Sequence, residues 1–433
     1  MRRTPLVPVA IALMAGIVTA CHLDFPPTKW LLAMAICAAL VGTSLLILRR
    51  LHPVSLVFTL LFCSLAGGLL TTLKQHHDWT RSCPEKAFLD VQLTETPVPR
   101  EKSWRVKARV KSGGDITLFL RKDSTAATLR FGDRMLIHGY PNRERRNIYV
   151  TSDHYHVYGH DSTSLRARSE RIRLSLLHRM QAGPLDPRQA GVAEALTLGW
   201  RGNLTPETQA SFRDAGIAHL LAVSGLHVGL LAAIVGGMLL WLGKERRGRL
   251  IRGNIQLTAV WLFTLLSGLS PSTIRAALMF SLFIVADIAA RRTPTLNILA
   301  AAAIITLTIN PLIIKDLSWQ LSYSAVAGII IARPAITAFR NRLWQLTAVS
   351  TFATVATLPV VATAFHRLPL YFLIANIVIV PLAGVLLFLS LAYMAVPCSL
   401  TAWPLHWLIS ASEWLTSWVA SLPGAVITLK PKP

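Results

Sequence analysis

The amino-acid sequence predicts a polytopic α-helical membrane protein with a small all-β domain inserted after its first helices. Two observations support this fold class. The 433 residues are 53% hydrophobic and 15% charged, with a mean hydropathy of +0.48, which is too apolar for a soluble chain of this length. Between residues 74 and 165 the long apolar runs stop, and short alternating segments typical of β-strands replace them.

The charge and the cysteines limit the classes of partner. A net charge of +23 indicates anionic partners, either lipid headgroups or nucleic acid or both. The charge alone does not separate these two, because cytoplasmic loops are basic in membrane proteins generally. Four of the five cysteines lie in or beside apolar runs and Cys83 lies in a polar region, so we expect no disulfide framework.

Residues 1–73 contain three apolar runs of membrane-spanning length, at 5–23, 29–48 and 54–73. Arg2-Arg3 and Arg49-Arg50 place these two ends in the cytoplasm, so the next segment starts outside. Val18-Thr-Ala-Cys21 also has the outline of a lipoprotein cleavage site, which leaves lipidation of Cys21 open.

The clearest strand of the β domain, residues 102–111, alternates apolar and basic side chains and is followed by a Gly113-Gly114 turn into residues 115–120. Further strands near 135–140 and 147–158 favour a small barrel. Residues 74–166 hold 17 Lys and Arg against 11 Asp and Glu, an excess of six that favours DNA contact over a merely solvated face. The candidate DNA-binding residues are Arg105, Lys107, Arg109 and Lys111.

The sequence pattern over residues 166–215 predicts amphipathic helices at the membrane surface. The first, near 165–180, is rich in arginine, a second covers 189–199, and Thr205-Pro206 caps a third that ends near residue 216.

The stretch 216–236 is apolar enough to span a bilayer, yet it contains two histidines. As a helix, it has a seam of small residues for close packing, including Gly225, Gly229 and Gly236. On the other side it has His219, Ser224 and His227, which indicate a face that lines a water-filled path. The alternative is a packed helix whose histidines hydrogen-bond to neighbours.

Further spanning helices are predicted near residues 255–269, 271–290, 295–312, 317–333, 343–365 and 405–423, with basic clusters on alternate sides. The apolar run 370–396 contains Asn376 and Pro381, which predicts a broken or re-entrant helix.

Ser270-Pro-Ser-Thr-Ile-Arg275 is typical of a capped helix start, and we expect Arg275 to meet phosphate at the outer mouth. The alternative is an ion pair between Arg275 and Asp316. On the following helix, one face that could line a wet path holds Asp316, Gln320, Tyr323 and Ser324.

The sequence contains no sign of an enzyme. Ser224 and His227 have no third catalytic partner, and no Gly-x-Ser-x-Gly or nucleotide-binding loop occurs. On one helix, His219 and His227 would stand about 12 Å apart and could not share a zinc ion. We therefore expect no catalytic residue, no metal and no cofactor.

Several segments, in order, resemble the ComEC competence family, the membrane channel through which competent bacteria import single-stranded DNA. The first is Ala218-His-Leu-Leu-Ala-Val-Ser-Gly-Leu-His-Val228. It is followed by Ser267–Met279, Asn310-Pro311, Asp316–Ser324 and Phe372–Pro381. The resemblance implies a channel domain over 216–425 in the bacterial inner membrane and an OB-like extracytoplasmic domain over 74–165. Its channel-lining candidates are His219, Ser224, His227, Arg275, Asp316, Gln320, Tyr323 and Asn376.

Larger members of that family carry a metallo-β-lactamase-like domain with a His-x-His-x-Asp-His motif, which is absent from these 433 residues. We therefore expect a short form whose partners include single-stranded DNA, a DNA receptor and a separate ATPase or cytosolic single-strand-binding protein. A homo-oligomer is left open. The alternative functions are transport of a small or lipid-linked anion and tethering of DNA without transport.

Overall fold

The computed structural model describes residues 4–428 except 24, 49–52, 77–86, 100–102, 112–113, 123–125, 127, 143–146, 151–154, 162, 222, 244, 292, 366, 370 and 424–425. Chain contacts divide the protein into two compact units. Unit 1 combines Met1–Leu70 with Arg173–Pro433, and unit 2 comprises Thr71–Ile172. Cys83 and the arginine pairs at 2–3 and 49–50 lie outside the described residues.

Three apolar helices begin the chain: α1 (Leu6–His22), α2 (Pro27–Leu48) and α3 (Pro53–His76). The second and third contain stretches long enough to cross a membrane, whereas α1 has 17 residues and is shorter. Gly16 lets α1 approach α3 closely, since a Cβ atom there would overlap the backbone of Ser64.

Unit 2 is a small curled β-sheet. Its strands are β1 (Ala87–Leu93), β2 (Val98–Pro99), β3 (Ser103–Val110), β4 (Asp115–Arg121), β5 (Asp133–Asn142), β6 (Asn147–Val150) and β7 (Tyr155–His160). The sheet curls because β1 pairs antiparallel with both β3 and β5. Strands β4 and β6 pair in parallel, β6 pairs with β5, and β7 extends the sheet beyond β5.

The predicted hairpin is confirmed. Strands β3 and β4 pair antiparallel with Arg109 opposite Asp115, and the apolar side chains of β3 at 106, 108 and 110 are buried in the core of the sheet. The alternation along β3 placed these residues correctly because successive side chains of a strand point to opposite faces. The segment predicted near 147–158 contains two strands, β6 and β7.

Unit 1 continues with a series of helices. They are α4 (Leu165–Gln181, which begins in unit 2), α5 (Pro187–Leu198), α6 (Pro206–Asp214), α7 (Gly225–Met238), α8 (Arg246–Leu266), α9 (Pro271–Ile288), α10 (Thr295–Ile309), α11 (Leu317–Ile331), α12 (Arg333–Ala338), α13 (Arg342–Phe365), α14 (Phe372–Ala395) and α15 (Ser399–Ser421). The short strands β8 (Arg367–Pro369) and β9 (Val426–Thr428) pair with each other.

Several helix starts follow directly from local sequence. The side-chain oxygens of Asp186, Thr205 and Ser270 accept backbone N–H groups at the starts of α5, α6 and α9, and proline occupies the first turn of each. The predicted caps at Thr205 and Ser270 are therefore confirmed. Proline is tolerated there because its missing N–H would have no partner inside the helix.

The predicted spanning helix over residues 216–236 is wrong in extent. Helix α7 begins at Gly225 with Ser224 as its N-cap, and residues 217–221 form a turn. The small residues within α7 do form a packing seam. Gly229 faces Phe280 of α9, and Gly236 faces Gln256 of α8.

The last two long helices also differ from prediction. Helix α14 runs through Pro381 without a break, so the broken helix is wrong, whereas the alternative of a re-entrant helix stays a prediction. Helix α15 falls near the predicted span at 405–423, but it is not among the described helices apolar enough to cross a membrane. Its exposed side carries a stripe of tryptophans, a residue suited to the boundary between hydrocarbon and headgroups: Trp403, Trp407, Trp414 and Trp418.

Within the described residues, four segments are long and apolar enough to span a bilayer: Pro27–Ser44, Pro53–Gln75, Pro271–Ile288 and Trp344–Ala364. Shorter apolar helices, among them α1, α7, α10 and α11, accompany them. The protein is therefore a mostly helical membrane protein with a small curled β-sheet.

The seam of α7 gives a matched pair of substitutions. We expect Gly229→Leu to destabilise the helical unit by about 1–3 kcal/mol, because its side chain would overlap the ring of Phe280. Gly237→Leu, on the same helix with nothing within 4 Å of its added Cβ, should leave stability unchanged. Thermal unfolding in detergent measures both, and equal midpoints would contradict the packing role of Gly229.

Candidate functional site

The site begins where the turn before α7 meets the start of α9. Ser272 Oγ donates a hydrogen bond of 2.7 Å to the carbonyl oxygen of Val223. Arg201 Nε donates to the carbonyl oxygen of Leu221 at 3.1 Å. Two side chains thus satisfy backbone carbonyls that lie outside any helix, and they fix the turn against its neighbours.

His227 has a defined tautomer. Its Nδ1 accepts the backbone N–H of Ser224 at 3.1 Å and lies 2.9 Å from Ser224 Oγ, which completes a reciprocal cap on α7. Because a backbone N–H can only donate, the neutral ring carries its proton on Nε2. That Nε2–H is buried and has no partner among the described residues.

His219 lies in the turn and not on α7, so the predicted grouping of His219, Ser224 and His227 on one helix face is wrong. The helical spacing of about 12 Å calculated for the two histidines does not apply either. His219 is exposed, whereas Ser224 and His227 are held together by the cap.

Arg275 is buried on α9. Its Nη2 donates to the carbonyl oxygen and to the hydroxyl of Ser318, at 2.8 and 2.7 Å, which joins α9 to the start of α11. Its Nε and Nη1 have no partner among the described residues. One nitrogen of Arg275 is thus hydrogen-bonded to Ser318, and the other two are buried N–H donors without an acceptor among the described residues.

Asp316 forms no ion pair with Arg275 within the described part of the chain. Its carboxylate instead caps α11, accepting the backbone N–H of Trp319 at 3.0 Å. The other predicted residues of this helix are also engaged locally. Gln320 donates to the carbonyl of Ile314, and Ser324 donates to the carbonyl of Gln320.

An aromatic pair stands beside Arg275. The rings of Trp319 and Tyr323 stack with centroids 4.3 Å apart, and both reach the hydroxyl of Thr306 on α10. Tyr323 is thus part of a buried hydrogen-bonded cluster. Two further amides, the buried Asn376 and the half-buried Asn310, each have a buried side-chain oxygen without a partner among the described residues.

The predicted basic face of unit 2 is partly neutralised. Lys107 pairs with Glu95 at 2.8 Å, Arg109 with Asp115 at 2.8 Å, and Lys111 with Asp90 at 3.4 Å. The hydrogen bond to Asp115 raises the pKa of Arg109 above its ordinary value. Such exposed pairs are weak and exchange readily, so the cations remain accessible to a competing polyanion.

Sequence reasoning missed Glu194 on α5. This carboxylate is fully buried and accepts hydrogen bonds from Gln181 at 2.6 Å and Asn203 at 2.8 Å. It also missed Ser318, the partner of Arg275. A lone acidic residue inside the apolar segment 189–199 was the available signal for Glu194, whereas the contact to Ser318 depends on packing.

These features define a class of protein: a helical membrane protein with buried N–H donors that have no acceptor among the described residues. The family model described as Competence protein matches residues 196–433, which is more than half of the chain. The chain therefore belongs to the Competence protein family. His227, Arg275 and Asn376 all lie in the matched region.

Three curated relatives match part of this chain. ComE operon protein 3 of Bacillus subtilis (strain 168) is 30% identical over 197 residues, covering 46% of this chain and 25% of that protein. Competence protein ComA of Neisseria gonorrhoeae is 30% identical over 155 residues (33% and 21%), and Uncharacterized protein YcaI of Escherichia coli (strain K12) is 26% identical over 225 residues (49% and 28%). The matches thus span less than a third of each relative. No solved structure matches the chain.

The contacts of Arg275 predict the outcome of a double-mutant cycle. We expect Arg275→Ala to destabilise the protein by about 1.5–3 kcal/mol through loss of the hydrogen bonds to Ser318. Asp316→Asn should not rescue it, because the Asp316 carboxylate caps α11 and forms no ion pair with Arg275 within the described residues. Thermal unfolding of the single and double variants in detergent measures the coupling, and rescue by Asp316→Asn would restore the ion-pair interpretation.

Proposed function

We propose that this protein is a membrane channel that passes single-stranded DNA into the cell during DNA uptake. The observation that carries the proposal is the match of residues 196–433 to the Competence protein family, in a region where His227 and Arg275 present buried N–H donors without partners. A relative named Competence protein ComA supports the biological setting.

The unmet donors favour an anionic cargo. Buried N–H groups without acceptors are costly, and phosphate oxygens are strong acceptors. His227 Nε2–H and the free nitrogens of Arg275 would meet successive phosphates of a passing strand. In this proposal the amides Asn310 and Asn376 interact with bases or with water along the same path.

Unit 2 supports the proposal as an OB-like domain. Leaving β2 and β7 aside, its strands follow the order β1-β3-β4-β6-β5 and return to β1, which is the order of a five-stranded OB barrel. OB folds bind single strands through charged and aromatic surfaces. We infer that unit 2 is extracytoplasmic and that the helices lie in a bacterial inner membrane.

The proposal includes no catalytic step and no cofactor. We propose that a separate ATPase or a cytosolic single-strand-binding protein drives import and that a DNA receptor delivers the substrate, since these 433 residues contain no nucleotide-binding loop. A transporter of a small anion is the second candidate, because the same buried donors would suit a single phosphate or carboxylate.

A transformation assay tests the proposal. A deletion strain should lose import of DNA into the cytosol, and the wild-type chain should restore it. His227→Ala should reach the membrane at wild-type level but restore import poorly, because it removes the Nε2–H donor. Ser224→Ala is the matched control, since it weakens the cap by about 1 kcal/mol and keeps the imidazole.

Normal DNA import in the deletion strain would contradict the channel proposal. Lost uptake of a small anion together with normal DNA import would favour the second candidate. Equal loss of protein level in His227→Ala and Ser224→Ala would make His227 a structural residue.

The basic face makes a separate prediction. Reversing the charges of Arg105, Lys107, Arg109 and Lys111 should weaken binding of single-stranded DNA by the full chain and flatten its dependence on salt, because fewer counterions are released. The control Arg109→Asp with Asp115→Arg exchanges one ion pair without changing the net charge. Titration of a labelled oligonucleotide at several salt concentrations is the measurement, and an unchanged salt slope in the quadruple variant would show that the face is only solvated.

A further inference from the structure

The outer surface of unit 2 differs between its two sides. The outward positions of β3 and β4 are mostly charged, as expected for a sheet in water. The outward positions of β1, β5 and β7 are instead rich in aromatic, imidazole and apolar side chains. We call seven of them, which lie beside Gln92, the β1–β5–β7 face: Phe88, Asp90, Arg134, Leu136, His138, His156 and Tyr158.

The centre of this face is a stacked pair of rings. Phe88 and His138 are register partners on β1 and β5, with centroids 4.6 Å apart and an interplanar angle of 22°. The side chain of Phe88 is 79% exposed, so most of its ring is open to a further planar group. An apolar ring this exposed is unusual on a soluble surface and marks a binding site when it belongs to a patch.

The neighbours extend the patch and hold it in place. Leu136 and Tyr158 are each nearly half exposed. The hydroxyl of Tyr158 donates to Asp90, whose other oxygen lies 3.4 Å from Lys111 Nζ. This hydrogen bond raises the pKa of Tyr158, so the phenol remains neutral over the physiological range. The hydrogen bond to Asp90 restrains the tyrosine ring before any ligand arrives, which lowers the entropy cost of binding.

We propose that the β1–β5–β7 face is a stacking platform for the bases of single-stranded DNA, with Phe88 and Tyr158 as the two rings that contact successive bases. The proposal rests on the channel function proposed above and names a surface distinct from the basic face of β3. Every base has a π-face, so such a platform binds without sequence preference.

Charge selects DNA over a lipid surface as the occupant. Arg134 is exposed on this face, and Lys111 borders it, so phosphates next to stacked bases would meet cations. Asp90, between the rings, is bonded to Tyr158 and Lys111, and immersing it in hydrocarbon would strip water from a carboxylate. The excess of six positive charges over residues 74–166 acts in the same direction.

The test uses the full chain in nanodiscs of zwitterionic lipid with a fluorescein-labelled oligothymidine. Phe88→Ala should weaken binding by about 5- to 150-fold, the effect of losing one base-stacking ring. The slope of affinity against salt should stay as in the wild type, because stacking releases no counterions. Tyr158→Leu, which keeps an apolar side chain but no π-face, should weaken binding in the same way, whereas Phe88→Trp should retain it.

Trp241→Ala is the matched control, because Trp241 is as exposed as Phe88 but lies in unit 1. Its affinity should equal that of the wild type. An oligonucleotide containing 2-aminopurine gives a second readout, since stacking on Phe88 should quench its fluorescence with the wild type and less so with Phe88→Ala.

Wild-type affinity and wild-type quenching in Phe88→Ala and Tyr158→Leu would overturn the stacking platform, as would a loss confined to the salt slope. If that result accompanies lost DNA import in the deletion strain, only the platform fails and the channel proposal stands. If the wild-type chain binds no single-stranded DNA and the deletion strain imports DNA normally, both proposals fail.

Discussion

Backbone groups at the end of a helix have no partner within that helix, and this constraint explains several polar contacts at the turns of unit 1. At four places where the chain leaves or enters a helix, a side chain donates to a backbone carbonyl. The donors and the carbonyls that they serve are Arg173 with Leu198, Arg201 with Leu221, Ser272 with Val223, and Gln320 with Ile314. Arg173 and Arg201 therefore serve the backbone of the fold. The turns before α7 and α11 are fixed features of the fold, held by named side chains.

The same constraint explains which parts of the fold could be predicted. Caps at Thr205 and Ser270 and the β3–β4 hairpin were predictable, because each depends on residues within a few positions of one another. The extent of α7 was not predicted, since the apolar composition of 216–236 satisfies a spanning helix as well as a turn followed by a shorter helix. The deciding signal was Ser224 followed three residues later by His227, a reciprocal cap that uses an imidazole where glutamate or glutamine is usual. At Pro381 the sequence predicted a break where the helix is continuous. A proline can lie inside a membrane helix when groups of neighbouring helices satisfy the backbone carbonyl that it leaves without a donor.

The candidate site was predictable in its residue types and less so in its partners. Arg275 and His227 were identified from polar groups in apolar stretches, and both are buried in the structure. The partner of Arg275 is Ser318 and not Asp316, a choice that depends on the packing of α9 against α11 and leaves no trace in the spacing of residues. In unit 2 the basic side chains of β3 point outward as the alternation predicts. Their acidic partners Glu95 and Asp90 come from elsewhere in the chain, so the local neutralisation of the face could not be read from one strand.

Some buried N–H donors have no acceptor among the described residues, and they are the strongest physical argument for a moving anion. His227 Nε2 and the two free nitrogens of Arg275 are buried without an acceptor among the described residues. A buried donor that lacks a protein acceptor gives up hydrogen bonds unless water or a ligand supplies one. Water can accept hydrogen bonds from such donors and exchange readily, but a fixed internal acceptor would occupy them permanently.

A polymer with a phosphate at every step supplies one acceptor after another. Conduction needs sites that bind each phosphate well enough to admit it and weakly enough to release it. Donors left open by the fold satisfy both conditions, whereas a saturated ion pair at Arg275 would satisfy neither.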